Sequence, residues 1–374
     1  MNGIREWIDG HFDEQLALLK TLAAIPAPSG MEDKRVKFLL DWCADNGVTA
    51  FSDEAKNVVI PMGEGEEISV YSAHTDVVFP DETPLPVREE NGVLYAPGVG
   101  DDTANVVAVL MLIRYIKENG LTPKKPFLFV LNTCEEGLGN LKGVRRIMKD
   151  YAGRVKKLVS FDCSFEEGMV VRAVGSERWR VTARTEGGHS YMAFGKPNAI
   201  HRMAQLVERL YEQTVPVKQN CRTTYNVGGI TGGTSINTIA QSCEMLYEYR
   251  SDDRDSLKIM REQFEKLVAE ADTDEAQITT ELLGERPCGG NVDEAELNRL
   301  FDGCEEIITR VLGRNVPRFT ASTDANIPLS LGVPAVTFGL FSGDGAHTRE
   351  EWLNIDSLKP GLEIGIRLVL KEQF

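Results

Sequence analysis

The 374-residue sequence has little of what several protein classes require. Its seven cysteines are odd in number and never spaced as CxxC, which argues against a disulfide framework and a thiolate zinc site. It has no run of roughly 18 apolar residues, so no membrane span is predicted. Basic residues are outnumbered 57 to 41 by acidic ones, and a net charge of −16 disfavours nucleic acid as a partner.

The N-terminal stretch also lacks the apolar segment and small-residue cleavage site of a secretory signal. We interpret residues 4–23 as an amphipathic helix of the mature protein and expect a cytoplasmic location. The composition, 42% hydrophobic and 26% charged, is that of a globular protein. The length suits two domains, or one domain with a large insertion.

The first half of the chain alternates two kinds of pattern. Amphipathic stretches typical of helices, such as 103–119, separate short apolar runs typical of strands. The runs lie at 58–63, 68–73, 126–132 and 157–163. This β–α alternation predicts an α/β fold with a mainly parallel sheet covered by helices.

The pattern of apolar and polar residues changes between residues 176 and 284. Alternating apolar and polar residues there predict the order β–α–β–β–α–β, which indicates a four-stranded sheet with two helices. After residue 285 the α/β pattern resumes. We therefore expect a larger α/β domain, residues 1–175 plus 285–374, that carries an inserted α+β domain, residues 176–284.

Acidic residues follow several predicted strands. "VYSAHTDVV" places His74 and Asp76 two residues apart, and therefore on one side of a strand end. "KLVSFDC" ends another strand with Asp162, and "VLNTCEEGLGN" puts Glu135 and Glu136 after a third. Because ligands gather at the carboxyl ends of strands in open α/β sheets, we expect these groups to converge on one crevice.

Asp101 and Asp102 come directly before a long predicted helix, in "APGVGDDTANVV". The GxG could suggest a nucleotide loop, but the third glycine is missing and two aspartates would repel phosphate. Helix capping is the simpler interpretation and suits Asp102. Capping needs only one acid and leaves Asp101 unexplained.

Each pattern alone has an ordinary explanation: His74 and Asp76 could form a buried pair, and His347 of "GDGAHTREEW" could be a loop histidine. Together, two histidines and three or four carboxylates suit a two-metal site in which one carboxylate bridges. Ligands of nitrogen and oxygen alone favour Zn, Mn or Co. If the chain turns after the strand, Glu136 can bind a metal while Glu135 stays available as a general base.

At this point the sequence resembles the co-catalytic metallopeptidases that include carboxypeptidase G, aminoacylase-1, succinyl-diaminopimelate desuccinylase and peptidase T. The resemblance spans nearly the whole chain, through "SAHTDVV", "GDDTANVVAVL", "TCEEGLGN", "VSFDCS", "GGHS", "STDANIP" and "AHTREEW". "GDD" and "STDANIP" are most similar to the peptidase T branch. One departure is that Thr103 and Asn105 stand where that branch usually has Lys and Gly.

The resemblance implies two divalent metal ions per subunit, with zinc expected and Mn or Co as alternatives. The implied ligands are His74, Asp101 and Asp162 for one ion, and Asp101, Glu136 and His347 for the other. By the same resemblance, Asp76 orients His74 and Glu135 transfers the proton. The peptide bond between Asp101 and Asp102 is expected to be cis.

The resemblance further implies a homodimer formed through the inserted domain. His189 of "GGHS" would reach the partner's site and stabilise an oxyanion. Asn237 and Arg250 match substrate-binding positions, with Arg250 suited to clamp a carboxylate. Without the resemblance they would be a turn asparagine and a strand-surface arginine. Thr323 and Asp324 are expected to line the substrate pocket.

The function implied is that of a dinuclear metallo-exopeptidase that hydrolyses short peptides. An N-acyl-amino-acid deacylase, or another non-peptide amidohydrolase, with the same site is the alternative. A catalytically inactive binding protein on this fold would have lost a ligand or the base, and none is lost. The broken glycine motif disfavours a nucleotide-binding oxidoreductase.

Overall fold

The computed structural model describes residues 2–374, which form two compact units. Unit 1 comprises the chain up to Ala173 together with Gly290–Phe374, and unit 2 comprises Val174–Gly289. Among the residues described, no helix has both the length and the apolar character needed to cross a membrane. All seven cysteines in this range carry free thiols.

Helices and strands alternate through most of residues 2–374. The helices are α1 Asn2–Ala23, α2 Asp33–Asp45, α3 Asn105–Glu118, α4 Lys142–Asp150, α5 Ala199–Glu212, α6 Arg254–Ala271, α7 Glu294–Leu312, α8 Asn326–Ser330 and α9 Leu358–Gln373. The strands are β1 Phe51–Ser52, β2 Val58–Met62, β3 Ile68–His74, β4 Arg88–Glu90, β5 Val93–Tyr95, β6 Phe127–Asn132, β7 Val155–Phe161, β8 Met169–Ala173, β9 Gly175–Arg184, β10 Gly188–His189, β11 Thr223–Gly232, β12 Thr238–Ile239, β13 Ser242–Ser251, β14 Gln277–Arg286, β15 Arg318–Ala321, β16 Ala335–Phe338, β17 Gly343–Asp344 and β18 Trp352–Asn354.

The main sheet of unit 1 runs in the order β1-β2-β6-β3-β7-β16-β8-β15. Its central strands β6, β3, β7 and β16 are parallel to one another. Every residue of β3 and β6 is buried, as expected for parallel strands covered on both faces. The predicted α/β class with a mainly parallel sheet is confirmed.

The parallel centre brings distant parts of the sequence to one edge. His74 ends β3 and pairs with Asn132, which ends β6, while β7 ends one residue before Asp162. The segments that leave these three strands therefore begin side by side. This adjacency is the convergence that the sequence predicted.

Unit 2 has the predicted order β–α–β–β–α–β, formed by β9, α5, β11, β13, α6 and β14. Its antiparallel sheet runs β11-β13-β9-β14, and the short pair β10-β12 stands apart from it. Met203 of α5 and Phe264 of α6 are buried against Val181 and Tyr247 of the sheet. The predicted α+β class of the inserted segment, four strands and two helices, is confirmed.

The structure differs from the sequence prediction before α3. The helix predicted from residue 103 begins at Asn105, because Val99–Ala104 forms a π-helical turn with non-helical dihedral angles at Asp101 and Asp102. Ala104 occupies the N-cap position, and no side chain caps this helix. The capping role expected for Asp102 is therefore wrong. The expected cis peptide bond between Asp101 and Asp102 is confirmed.

Gly361, near the start of α9, lies where the chain has no room for a side chain. A Cβ placed there would come within 1.5 Å of the backbone oxygen of Leu340. Leu340 follows β16 and leads towards the segment that carries His347. The close approach of α9 to this backbone therefore requires glycine.

We expect Gly361→Ala to lower the free energy of unfolding by about 2–3 kcal/mol, because backbone must move to admit the methyl group. Gly10→Ala is the matched control, since Gly10 also lies in a helix but a Cβ placed there would have no atom within 4 Å. That control should gain up to about 1 kcal/mol from helix propensity. Chemical denaturation of both variants measures the difference, and equal stability would contradict the close packing of α9 against Leu340.

Candidate metal centre

His74 ends β3 with its ring buried among carboxylates. Its Nε2 lies 3.0 Å from Asp101 Oδ1 and 4.0 Å from Asp162 Oδ1. On the other side of the ring, Nδ1 lies 3.1 Å from the backbone oxygen of Asp76. A proton on Nδ1 that is donated to this oxygen leaves the Nε2 lone pair facing the two carboxylates, as metal ligation requires.

His347 faces a second pair of carboxylates. Its Nε2 lies 3.1 Å from Asp101 Oδ2 and 3.0 Å from Glu136 Oε1. Asp101 therefore presents one oxygen to each histidine, which is the arrangement of a bridging ligand. Ligand atoms about 2.0–2.2 Å from one zinc ion at tetrahedral angles lie roughly 3.3–3.6 Å apart, so these spacings suit shared ions.

Asp76 holds the two glutamates that follow β6. Its Oδ1 accepts a hydrogen bond from the Glu135 backbone N–H at 2.9 Å, and its Oδ2 accepts one from the Glu136 N–H at 2.8 Å. Ser29 Oγ donates to the same Oδ2 at 2.6 Å. The sequence predicted that Asp76 orients His74. It did not reveal that Asp76 also holds the backbone of Glu135 and Glu136.

Glu135 and Glu136 share the site because the chain turns between β6 and Glu135. Cys134 has a φ of 58°, in the left-handed region, so the alternation of a strand no longer applies. One carboxylate oxygen of Glu135 lies within 4.8 Å of ligand atoms of both His74 and Glu136. Glu135 is therefore beside the candidate ligands and buried, without being needed to complete either set.

Asp102 also lies within 4.8 Å of His74 and Asp162, which makes it an alternative ligand by distance alone. Both of its oxygens are already engaged. Oδ2 accepts from the His74 backbone N–H at 2.7 Å, and Oδ1 accepts from Asn105 Nδ2 at 2.6 Å. Asp101 therefore stays the predicted ligand, and Asp102 holds the His74 backbone and the Asn105 side chain.

Glu351 is a supporting residue that sequence reasoning missed. Its buried carboxylate accepts hydrogen bonds of 2.8 Å from the backbone N–H groups of Gly98, Gly100 and Asp101. The segment that supplies His347 thus also holds the loop of Asp101, the candidate bridging residue. The second glutamate of "TREEW", four residues after His347, was the only sequence signal.

A second missed residue is Arg35 of α2, whose guanidinium is fully buried. Its Nε donates to the Ile25 backbone oxygen and one terminal nitrogen donates to the Thr75 backbone oxygen. Burial lowers the pKa of Arg35 to about 10, while the charges of Asp76, Asp102 and Glu351 oppose that change. It is a permanent positive charge close to the buried carboxylates.

The buried carboxylates of the cluster repel one another, and added positive charge would reduce that repulsion. Burial, and then the charge of Asp101, raises the pKa of Glu136 to about 7. Burial likewise raises the pKa of Asp162 well above its usual range, with Asp101, Glu135 and Glu136 adding to the effect. Hydrogen bonds to Asp101 and Glu136 raise the pKa of His347 to about 11. Divalent cations would relieve this repulsion, so the donor set fits two metal ions.

Thr323 and Asp324 lie beside the end of β6 and are almost fully buried. Asp324 Oδ2 accepts a hydrogen bond from Asn132 Nδ2 at 2.6 Å, and Asn132 is the strand partner of His74. Thr323 Oγ1 lies 2.9 Å from Thr337 Oγ1. Burial, followed by the charge of Glu135, raises the pKa of Asp324 to about 7. Their contact with substrate stays a prediction.

Within unit 2, His189 and Asn237 come together on the β10–β12 pair. The Ser190 backbone N–H donates to the Asn237 backbone oxygen at 2.9 Å. His189 Nδ1 accepts from the backbone N–H groups of Tyr191 and Met192, so the ring proton belongs on Nε2. His189 is exposed and Nε2 can therefore donate a hydrogen bond.

Arg250 lies on β13, in the separate four-stranded sheet of unit 2. Its guanidinium donates to both carboxylate oxygens of Glu248, each at 3.0 Å. A substrate carboxylate bound by Arg250 would have to replace Glu248 in this forked pair. The substrate-binding roles of Arg250 and Asn237 stay predictions.

We expect Glu351→Gln to weaken divalent metal binding by about tenfold or more, because one amide oxygen cannot replace a carboxylate that accepts three N–H groups. Chelator competition with the metal-stripped protein measures the dissociation constants for zinc and manganese. The exposed neighbour Glu350 provides the control, and Glu350→Gln should match the wild type. Similar constants for both variants would show that Asp101 does not depend on Glu351.

Comparison with known proteins identifies the family of the chain. Residues 70–371 match peptidase family M20/M25/M40. The chain is 26% identical to an acetylornithine deacetylase of Aliivibrio fischeri over 366 residues, which cover 90% of each chain.

Solved structures show the same fold. A tripeptidase of Staphylococcus aureus is 23% identical with a TM-score of 0.74, over 96% of this chain and 99% of that one. A dinuclear metal-binding peptidase of Bacillus subtilis is 14% identical with a TM-score of 0.67, over 97% and 98% of the two chains. The family match covers most of the chain, including both candidate histidine ligands. The chain therefore belongs to peptidase family M20/M25/M40 and is a metallohydrolase of peptide or amide bonds.

Proposed function

We propose that the protein is a dinuclear metal-dependent exopeptidase that hydrolyses short peptides. One observation carries the proposal: Asp101 presents one carboxylate oxygen to His74 and the other to His347. Asp162 completes the first ligand set and Glu136 the second. Zinc is the expected metal, and manganese or cobalt would also suit these nitrogen and oxygen donors.

The chain's own residues account for the proton transfers of amide hydrolysis. Bound metal ions would polarise the scissile carbonyl and lower the pKa of the attacking water. Glu135 accepts a proton from that water as the water oxygen adds to the carbonyl carbon. Glu135 then gives the proton to the leaving nitrogen as the C–N bond breaks. Asp76 accepts the Glu135 backbone N–H and so fixes the backbone that carries this side chain.

N-acyl amino acids are a second candidate substrate class. The similarity to an acetylornithine deacetylase favours it, because that relative's name describes removal of an acyl group from an amino acid. The same residues would cleave either amide bond. The difference lies in the groups that bind the ends of the substrate, for which Asn237, Arg250, Thr323 and Asp324 are our candidates.

We also propose that the active unit is a homodimer formed through unit 2, with His189 of one subunit acting at the partner's site. Two features support this. Strand β11 is the outer strand of its sheet and could pair with a second copy. Tyr191, Met192 and Phe194, which follow His189, are 79–90% exposed, an unusual state for apolar side chains outside an interface. His189 Nε2 would donate to the oxyanion.

A cytoplasmic location stays a prediction.

A substrate panel tests the activity and separates the two classes. We expect metal-stripped protein to be inactive on di- and tripeptides and on N-acyl amino acids, and zinc, manganese or cobalt to restore hydrolysis. Glu135→Gln should lower kcat/KM by roughly 10²–10⁴-fold, because it cannot accept a proton. Release of free amino acids measures both effects.

The panel has a control and a contradicting outcome. Glu64→Gln, at an exposed acid in the turn between β2 and β3, should keep wild-type rates. The class cleaved with the highest kcat/KM identifies the substrate. If metal-loaded wild type left every compound intact, or if Glu135→Gln were as active as wild type, the proposed mechanism would be wrong.

Mixing two inactive variants tests action across the dimer. In a heterodimer of Glu135→Gln and His189→Ala, one site receives both changes and the other receives neither. We therefore expect random exchange of subunits to restore about a quarter of the wild-type activity. If the mixture stays inactive although light scattering and a tag-exchange control show dimers that exchange, His189 acts within its own subunit. If His189→Ala alone keeps wild-type activity, His189 has no part in catalysis.

A further inference from the structure

One buried side chain of unit 1 contacts three segments that carry candidate metal ligands. Asn105 is the first residue of α3 and is fully buried. Its Nδ2 donates to Asp102 Oδ1 at 2.6 Å and reaches the backbone oxygen of Cys163 at 3.4 Å. Its Oδ1 accepts from the Leu340 backbone N–H at 2.8 Å.

Each partner lies close in the chain to a ligand. Asp102 follows the bridging Asp101, and Cys163 follows Asp162. Leu340 lies two residues after β16, in the segment that leads to His347. These three segments are far apart in the sequence, and a single carboxamide joins them.

The bonding capacity of the carboxamide matches its surroundings. Asparagine offers one oxygen acceptor and two N–H donors, and here it meets one donor and two acceptors. The orientation of the amide is therefore fixed, because rotation by 180° would place N–H against N–H and oxygen against a carboxylate. A fully buried polar group with every partner present holds its neighbours firmly, since the loss of any of its hydrogen bonds would leave a buried polar atom unsatisfied.

The bond to Asp102 has a further consequence for the ligands. Asp102 is held between Asn105 on one oxygen and the backbone N–H of His74 on the other. With both oxygens engaged, Asp102 is kept from competing with Asp101 for an ion. Asn105 therefore acts on His74 through Asp102 as well as on the segments of Asp162 and His347.

We propose that Asn105 is a positioning residue of the metal centre, which sets the separation of the three ligand-bearing segments before any ion binds. This inference rests on the metal site of the proposed function. Asn105 itself touches neither ion nor substrate. Its effect should appear in metal affinity, and not only in the stability of the fold.

Calorimetric titration of metal-stripped protein with zinc and with manganese tests the inference. We expect wild type to bind two ions, and Asn105→Ala to bind at least one of them roughly 10- to 100-fold more weakly. Asn105→Asp should be weaker still, because it places a carboxylate against Asp102 and against the Cys163 oxygen. Asn119→Ala, at the exposed end of α3, is the matched control and should bind like the wild type.

Thermal unfolding separates positioning from simple packing. A packing role would lower Tm equally with and without metal, whereas a positioning role would also reduce the rise in Tm that metal causes. If Asn105→Ala fails to fold, Asp102→Asn provides the second test, because it disrupts the bond to Asn105 or to His74 and should also weaken binding.

The outcomes separate the two proposals. Metal affinities within about twofold of wild type in folded Asn105→Ala or Asp102→Asn would overturn the positioning role and leave the proposed function intact. Failure of the wild type itself to bind divalent ions would overturn the proposed function and this inference with it.

Discussion

The crowding of carboxylates at one edge of the parallel sheet is the constraint on which the rest of unit 1 depends. Two carboxylates about 4 Å apart repel each other by roughly 4 kcal/mol at an effective dielectric of 20. Asp101, Glu135, Glu136 and Asp162 are all within this range of a neighbour or close to it, and burial raises the cost. Such a cluster is stable only where cations or hydrogen-bond donors stabilise its negative charge.

Three further carboxylates hold the backbone of the segments that carry the cluster, and one buried arginine lies close to it. Asp76, Asp102 and Glu351 each accept at least one backbone N–H from a segment that bears a candidate ligand or base. Arg35 adds a permanent positive charge. These contacts hold the ligand-bearing segments through the protein itself, so that the geometry suited to two ions is present in the chain alone.

Much of this could be predicted from the sequence, because strands and helices leave periodic patterns. The parallel sheet and the β–α–β–β–α–β insert follow from such patterns. The small strands β4, β5, β17 and β18 were not predicted, since two or three residues carry too little pattern. The start of α3 was misplaced because two aspartates before a helix resemble a cap, whereas here they enter a π-helical turn.

Local order in the sequence, then, determined the elements and the residue types that end them, since an acid after an apolar strand is visible in the chain itself. Tertiary structure alone decided which of those acids face each other and which are engaged by other groups. Asp101 and Asp102 are adjacent and identical in type, so only their surroundings distinguish them. Glu351 lies about 250 residues from the loop it holds, and Asn105 joins three separate segments. Hydrogen bonds act over about 3 Å in space whatever the separation along the chain, so such partnerships leave no periodic trace in a sequence.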